Sequence, residues 1–301
     1  MKVLLTGGTG VLGRRAVPLL LKAGHDVVAV SRRADGDDRL RLQGADPLRL
    51  DVFDRDAVVQ AAQGVDAIVN IATSIPSWPF PRRRWDANDR LRRDASAAMS
   101  AAAIAVGARF VQESFAPAYP GRGSQWITED VPLEPIDQVQ TVVDAEASAG
   151  EVTAAGGLGV VLRFGLFYDA GSAQTRQMLS YARRGRLPLP GPADAYSSMV
   201  HVEDAAAAVV AALGVPAGTY NVVEDEPMTR AAHAAVLADL LGRRRVRPLP
   251  AVLGRAPVLR VLARSQRISN TKLTSASDWA TRHPNVREGW AQVLQELSDD
   301  R

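Results

Sequence analysis

Near its start the chain reads Lys2-Val3-Leu4-Leu5-Thr6-Gly7-Gly8-Thr9-Gly10-Val11-Leu12-Gly13-Arg14. An apolar strand pattern runs directly into a turn with glycines spaced three residues apart, and an apolar helical pattern follows. Glycine lets the main chain take positive φ angles and approach a diphosphate closely, and the first amides of the helix then face the phosphates. A plain strand–helix turn is the alternative, but this turn stands where dinucleotide binding requires it. The predicted cofactor contacts are Gly7, Gly10, Val11, Leu12, Gly13 and Arg14.

The composition is that of an enzyme-sized globular chain, with 301 residues, no cysteine and a formal net charge of +3. The absence of cysteine excludes disulfides and thiolate metal sites, and no set of His, Asp and Glu has the spacing of metal ligands. So small a net charge does not favour a nucleic-acid partner, and the arginine runs at 82–84 and 243–245 are interpreted as solvated. No apolar run is long enough for a membrane span and residues 1–10 do not resemble an export signal, so we expect a cytoplasmic protein without a membrane partner.

Short apolar strand patterns alternate with helical patterns through the first part of the chain. The predicted strands are Val3–Thr6, Asp26–Ser31, Leu48–Val52, Ala67–Ala72, Arg109–Glu113 and Val160–Phe164. The predicted helices are Val11–Ala23, Arg55–Gln63, Ala87–Val106 and Asp137–Ala155. This alternation predicts an α/β fold with a doubly wound parallel sheet of the Rossmann type, which binds its ligand at the carboxyl ends of the strands.

After residue 165 the pattern changes, and prolines and glycine cluster at 187–192. A helix over Val202–Leu213, a short strand Thr219–Val223 and a helix over Thr229–Leu241 are predicted there, and the strand can still join the sheet. We therefore expect a dinucleotide-binding domain over residues 1–165. A smaller C-terminal substrate lobe over residues 166–301 is expected to be interwoven with the sheet.

Further motifs follow in order: Asp51-Val52 after the third predicted strand, Asn70-Ile71-Ala72 closing the fourth, Val161-Leu162-Arg163 in the sixth, and His201-Val202-Glu203-Asp204 in the second lobe. Together with the glycine turn they make most of the chain resemble the extended short-chain dehydrogenases/reductases, the NAD(P)-dependent epimerase/dehydratase family. The resemblance implies that Asp51 contacts the adenine amino group, that Val52 packs on the adenine ring, and that Ala72 and Thr73 lie beside the nicotinamide. A cap for the next helix is the alternative role of Asp51.

The end of the second strand bears on the choice between the two nicotinamide cofactors. An acidic residue there would bind the ribose 2′-hydroxyl of NAD, but the strand ends Ser31-Arg32-Arg33. A guanidinium group suits a 2′-phosphate, which it can bind with two hydrogen bonds. The sequence therefore favours NADP(H) over NAD(H), with Arg32 and Arg33 at the phosphate and Arg14 within reach of it.

The residues that carry the chemistry depart from the family pattern. Family members that oxidise or reduce carbonyls use a tyrosine with a lysine four residues later, which lowers the tyrosine pKa, and a serine or threonine. The only lysines here are Lys2, Lys22 and Lys272, and none follows a tyrosine at that spacing. By the spacing to the sixth strand, Gln138 and Val142 take the tyrosine and lysine places, and Phe115 falls at the serine place. The chain is thus an atypical relative without the usual proton relay.

Three polar residues near the carboxyl end of the fifth strand are candidates for a replacement. Glu113 is a possible general acid or base because a carboxylate in the cleft is partly desolvated, although it can also be a strand-end residue bonded to loop amides. Ser114 keeps a hydroxyl near the lost serine, and Tyr119 can donate to a substrate oxygen; both can instead fix the loop. No metal ligand is predicted.

Three functions remain open at this point. The first is an NADP(H)-dependent oxidoreductase or epimerase/dehydratase-like enzyme with a non-standard acid–base set. The second is a non-redox enzyme for cyclisation, elimination or isomerisation on the same fold, and the third is a non-catalytic NADP(H) sensor. The fold does not separate them.

The sequence gives less information about the substrate and the oligomeric state. The loop Ile75–Asp86 holds two tryptophans, a phenylalanine and three prolines, which favours a small apolar or aromatic substrate, although a packed lid is the alternative. The family often forms dimers through two helices that correspond to Ala87–Val106 and Asp137–Ala155, so a homodimer is expected.

Overall fold

In a computed structural model that describes residues 1–76, 82–256 and 259–299, the glycine turn follows a buried strand in the middle of a parallel sheet. The strands are β1 (Lys2–Thr6), β2 (Asp26–Ser31), β3 (Asp46–Arg49), β4 (Ala67–Asn70), β5 (Arg109–Phe115), β6 (Trp126–Ile127), β7 (Gly159–Phe164), β8 (Leu166–Tyr168), β9 (Arg186–Pro190), β10 (Tyr196–Ser197), β11 (Met199–His201), β12 (Gly218–Val222), β13 (Met228–Thr229), β14 (Arg247–Leu249) and β15 (Arg267–Ile268). The helices are α1 (Gly13–Lys22), α2 (Ala34–Leu42), α3 (Arg55–Ala61), α4 (Asp86–Arg90), α5 (Ser96–Val106), α6 (Thr141–Ala154), α7 (Ala173–Arg183), α8 (Val202–Ala211), α9 (Arg230–Leu240), α10 (Arg260–Ala263), α11 (Thr271–Ala276) and α12 (Val286–Asp299).

Seven strands form the main sheet in the order β12-β7-β5-β4-β1-β2-β3, and all neighbouring pairs are parallel. The chain leaves β1 toward β2 and β3 and then returns to the other side through β4, β5 and β7. The direction of winding therefore reverses between β1 and β4, which is where such sheets bind their ligands. The predicted doubly wound parallel sheet is confirmed, and the strand predicted at Thr219–Val223 joins it as β12.

The two faces of the sheet are covered by different helices because strand residues alternate between the faces. Val3, Leu5 and Val69 pack with α1 and α8 on one face, whereas Leu4, Ile68 and Phe110 pack with α3, α5 and α6 on the other. A third apolar cluster, which includes Tyr168, Leu187, Leu237 and Trp290, is formed by residues beyond position 165. No helix in the described ranges is both long enough and apolar enough to cross a bilayer.

Several elements differ from the prediction, and three of these differences lie in the first 110 residues. The helix α2 was not predicted, since Leu40 is its only buried large apolar residue and no apolar period marks it. The predicted helix Ala87–Val106 is divided into α4 and α5 by a π-helical turn at Leu91–Ala95. The third strand lies at Asp46–Arg49 rather than at Leu48–Val52, in register with β2.

Candidate active site

The glycine turn after β1 has the geometry of a diphosphate cradle. Gly7 has a φ of +79°, and a Cβ on it would lie 2.7 Å from the carbonyl oxygen of Ile71. A Cβ on Gly13 would lie 2.2 Å from the carbonyl oxygen of Gly7, so no side chain fits at either position. Helix α1 opens without a side-chain cap and without an acidic residue in its first turn, which leaves its amides available to an anion. Val11 and Leu12 connect the turn to the helix, as the motif requires.

The two arginines after β2 have different surroundings. The Arg33 Nε donates to the Asp35 carboxylate at 3.1 Å, although the arginine side chain is 83% exposed. The Arg32 side chain is exposed, and within the described ranges no group hydrogen-bonds to its guanidinium. Arg14 lies on α1 and donates to the carbonyl of Gly171 at 3.3 Å, across to the second lobe. Arg32 is therefore the arginine that is free for a phosphate.

The residues predicted to contact the adenine and the nicotinamide follow β3 and β4. Asp51 accepts from the amide of Phe53 at 3.0 Å, while the cap of α3 is Asp54, so the alternative role of Asp51 as the cap is wrong. Val52 is half-buried against the apolar cluster of that face. Ala72 follows the main chain that closes on Gly7, and Thr73 beside it is exposed.

Apolar side chains surround two of the positions at which the family resemblance places the proton relay. Phe115 and Val142, at the serine and lysine places, belong to one apolar cluster with Trp85, Ala118 and Val139. The members of this cluster that are only partly buried, apart from Phe115, are Leu133, Ile136 and Leu259. We call this set the apolar cluster at Phe115. Gln138, at the tyrosine place, lies in a 3₁₀ turn just before α6 and is half-buried. Nothing in this cluster can exchange a proton at neutral pH.

Ser114 and Tyr119 are joined through a buried ion pair that the sequence did not reveal. Arg163 of β7 binds Glu146 of α6 with two hydrogen bonds of 2.7 and 2.8 Å. The Ser114 hydroxyl donates to Glu146 at 2.5 Å, and Arg163 donates to the Tyr119 hydroxyl, also at 2.5 Å. The pair connects residues 17 positions apart on a helix and a strand, and only the basic and acidic residue types hint at it.

Tyr119 itself is fully buried, and its hydroxyl donates to the Asn221 side chain at 2.9 Å. Burial raises the pKa of Tyr119 to about 12 against the opposing effect of Arg163. Ser114 is also fully buried. Both hydroxyls thus hold β5, α6 and β7 together, which argues against direct contact with a substrate, and their catalytic role stays a prediction.

Glu113 is bound by an arginine and not by loop amides. Its Oε1 accepts from Arg92 Nη2 at 2.7 Å, and both side chains are buried, with 8% and 2% of their surfaces exposed. Glu113 Oε2 and Arg92 Nε have no hydrogen-bond partner in the structure as described. Sequence reasoning missed Arg92, because a buried arginine in the π-helical turn leaves no periodic signal. Whether Glu113 acts as an acid or base stays a prediction.

One group with metal-ligating side chains does assemble in space. His201, Glu203 and His283 bring ligand atoms within 4.8 Å of one another, although His283 is far from the other two in sequence. The His283 ring is held by Asp204 at 2.9 Å and by Gln292 at 2.6 Å. His201 Nδ1 accepts from the Glu203 amide at 3.3 Å and caps α8. The hydrogen bonds of His283 connect Asp204 of α8 to Gln292 of α12, whereas His201 Nε2 is buried and has no hydrogen-bond partner among the described residues.

Comparison with known proteins places the chain among relatives with this architecture. The model of the NAD dependent epimerase/dehydratase family matches residues 3–222. A Streptomyces sp protein named 3-diazoavenalumate denitrifying reductase is 33% identical, over 96% of this chain and 99% of the relative. The human epimerase family protein SDR39U1 is 26% identical, over 87% of this chain and 89% of that protein.

Solved structures share the fold at lower identity. The human epimerase family protein SDR39U1 (isoform2) with NADPH superposes with a TM-score of 0.78 at 23% identity, over 99% of this chain and 100% of that one. MoeE5 in complex with UDP-glucuronic acid and NAD gives a TM-score of 0.80 at 22% identity, with both chains fully covered at 100%. The family match indicates a nicotinamide cofactor. On the family match and the full-length relative, the chain belongs to the NAD dependent epimerase/dehydratase family.

Proposed function

We propose that the protein is an NADPH-dependent reductase of an apolar or aromatic small molecule whose reduction needs no proton from the protein, and that this substrate is a diazonium compound. The observation that carries the proposal is the apolar cluster at Phe115, which fills the region where the proton relay would stand. A carbonyl reductase must protonate an oxygen as hydride arrives at carbon. Phe115 and Val142, which stand at two of the expected relay positions, have no proton to give.

The reductive loss of a diazonium group requires no proton from the protein. When bound, NADPH supplies a hydride. Replacement of the diazonium group by hydride forms a carbon–hydrogen bond and breaks the carbon–nitrogen bond, whose electron pair leaves with dinitrogen. The substrate gains two electrons, charge balances without a proton, and the protein need only bind and orient the two reactants. The name of the Streptomyces relative, 3-diazoavenalumate denitrifying reductase, supports this substrate class.

The choice of NADPH rests on the end of β2. Arg32 is exposed, and no acidic side chain in the described part of the chain occupies its guanidinium. The 2′-phosphate of NADPH would give this arginine a charged partner. The ribose hydroxyl of NADH would find no carboxylate at the strand end.

The test is transfer of label from the cofactor to the substrate. We would incubate the purified protein with an arenediazonium salt and NADPH deuterated in turn on each face of the nicotinamide ring. We expect one labelled face to place a single deuterium on the carbon that held nitrogen, with one dinitrogen released for each NADPH consumed. A reaction without protein corrects for direct reduction, and an aryl ketone of the same size serves as the matched substrate that needs a proton. Equal rates for ketone and diazonium salt, or cofactor that binds and stays inert, would overturn the proposal.

A further inference from the structure

Two chain segments supply both the apolar cluster at Phe115 and the buried ion pair beside it. The segment 82–95 carries Trp85 and Arg92, and the end of β5 carries Glu113 and Phe115. The Glu113–Arg92 contact of 2.7 Å therefore adjoins the apolar side chains at the carboxyl edge of the sheet. The same edge bears the exposed Thr73 and the glycine turn. The apolar cluster at Phe115 thus lies next to the buried ion pair of Glu113 and Arg92.

This ion pair leaves hydrogen-bonding capacity unused. One nitrogen of Arg92 meets one oxygen of Glu113, and the remaining Arg92 Nε–H and Glu113 Oε2 are buried without partners. One helical turn earlier, the buried Asn88 accepts from the Ser74 amide at 2.9 Å, while its Nδ2 is also unpartnered. Buried polar atoms are satisfied in most proteins, so such a group of atoms indicates a ligand that completes the set.

The charges restrict what that ligand group can be. A carboxylate or a phosphate would be repelled by Glu113, and an ammonium group would be repelled by Arg92. A hydroxyl group donates one hydrogen bond and accepts two, which matches one free acceptor and the free donors. We propose that Glu113 and Arg92, with Asn88 beside them, form a subsite that binds a hydroxyl group on the aromatic ring of the substrate.

This subsite deepens the proposed function, on which it rests for the identity of the substrate. The free atoms are closed to water in this structure, so a hydroxyl reaches them only when the surrounding side chains move. A ligand that lacks the hydroxyl would leave the same atoms unpaired in a dry site. Sites of this kind discriminate strongly against such analogues. We therefore expect at least tenfold preference for a phenol over its methyl ether.

The experiment measures binding, so it does not depend on hydride transfer. Calorimetry would compare 4-methylphenol with its O-methyl ether on the protein loaded with NADP⁺. The test variant is the double substitution Arg92→Gln/Glu113→Gln, which keeps side-chain volume and neutralises both partners so that neither charge is buried alone. The control variant is Arg93→Gln/Asp144→Asn, which removes the neighbouring ion pair of 3.3 Å on the exposed side of the helix. Thermal melting of both variants reports whether they fold.

The wild type and the control variant should prefer the phenol by tenfold or more, and in the test variant the ratio should fall to near one. Equal binding of the two ligands by the wild type, binding of neither, or an unchanged ratio in a folded test variant would overturn the subsite. If the double variant does not fold, Glu113→Gln alone is measured, and an unchanged ratio has the same meaning. A protein that prefers the phenol but transfers no label to a diazonium salt would keep the subsite and lose the proposed function.

Discussion

Two adjacent arginines, Arg32 and Arg33, follow β2, and we expect them to contribute differently to the choice between NADPH and NADH. Arg33 is already engaged by Asp35, whereas Arg32 has no partner among the described groups. Arg32→Ala should weaken NADPH binding by ten- to a hundredfold, in keeping with a lost charge-assisted hydrogen bond of about 1.5–3 kcal/mol, and leave NADH binding nearly unchanged. Calorimetric titration with both cofactors measures this. Arg33→Ala is the matched control and should have a smaller effect; equal weakening of NADPH and NADH in Arg32→Ala would contradict the assignment.

The ion pair between Glu146 and Arg163 makes a second prediction at this scale. Their side chains are 15% and 9% exposed, and the pair also holds Ser114 and Tyr119. Glu146→Ala leaves the Arg163 charge buried without its carboxylate, so the free energy of unfolding should fall by about 3–5 kcal/mol. Urea denaturation measures the change. The exposed pair Arg41–Asp38 is the control, and Asp38→Ala should cost less than about 1 kcal/mol. A loss as small in Glu146→Ala would show that the pair does not stabilise the fold.

At the scale of the elements, the sequence predicts most where local patterns decide. The bounds of β2 are those predicted, and the bounds of α1 and α9 lie within a few residues of the prediction. The apolar residues of these elements recur with a regular spacing, and glycines mark where the elements end. The helix α2 escapes prediction because Leu40 is its only large buried apolar residue, while its exposed side carries charged pairs such as Arg41–Asp38. The π-helical turn at Leu91–Ala95 has no local sequence signal either.

The candidate site shows the same division. The glycine turn could be read from the sequence since its spacing is local, and its geometry is that of the predicted cradle. The contacts of Glu113 with Arg92 and of Glu146 with Arg163 join residues 21 and 17 positions apart through the packing of helices on strands. No pattern within one element contains that information. The aromatic loop residues at 78–80, on which the expectation of an apolar substrate was based, lie outside the described residues.

Substitution of two helical glycines, Gly13 and Gly150, by alanine should have opposite effects on stability. A Cβ on Gly13 at the start of α1 would meet the Gly7 carbonyl at 2.2 Å, whereas a Cβ on Gly150 in α6 would meet no atom within 4 Å. Gly13→Ala should destabilise the protein by at least about 2 kcal/mol and abolish cofactor binding. Gly150→Ala should stabilise it by about 0.5–1 kcal/mol because alanine favours the helix. Thermal and urea unfolding measure both; tight NADPH binding by Gly13→Ala would disprove the cradle.

Across the whole molecule, stability should depend on pH through buried histidines of the second lobe. His233 is buried, its Nε2 accepts from the Trp290 indole at 2.8 Å, and burial lowers the pKa of its ring to about 4. Burial and His283 likewise lower the pKa of His201 to about 4. His283 acts in the opposite sense, because hydrogen bonds from its ring to Asp204 and Gln292 raise its pKa despite partial burial.

The sign follows from which state binds the proton. At pH values between the ordinary histidine pKa of 6.5 and the folded-state pKa of about 4, His233 is protonated in the unfolded chain and neutral in the folded protein. The stabilisation is therefore complete above 6.5 and is lost as the pH falls toward 4, by roughly 3 kcal/mol for this residue. His233→Gln keeps an acceptor for the Trp290 indole but has no proton to take up. Urea unfolding at a series of pH values should show a shallower decline in His233→Gln than in the wild type. His25→Gln, at a half-buried turn, serves as the control and should change the decline much less; the same slope for wild type and His233→Gln would mean that the ring is protonated in the folded protein.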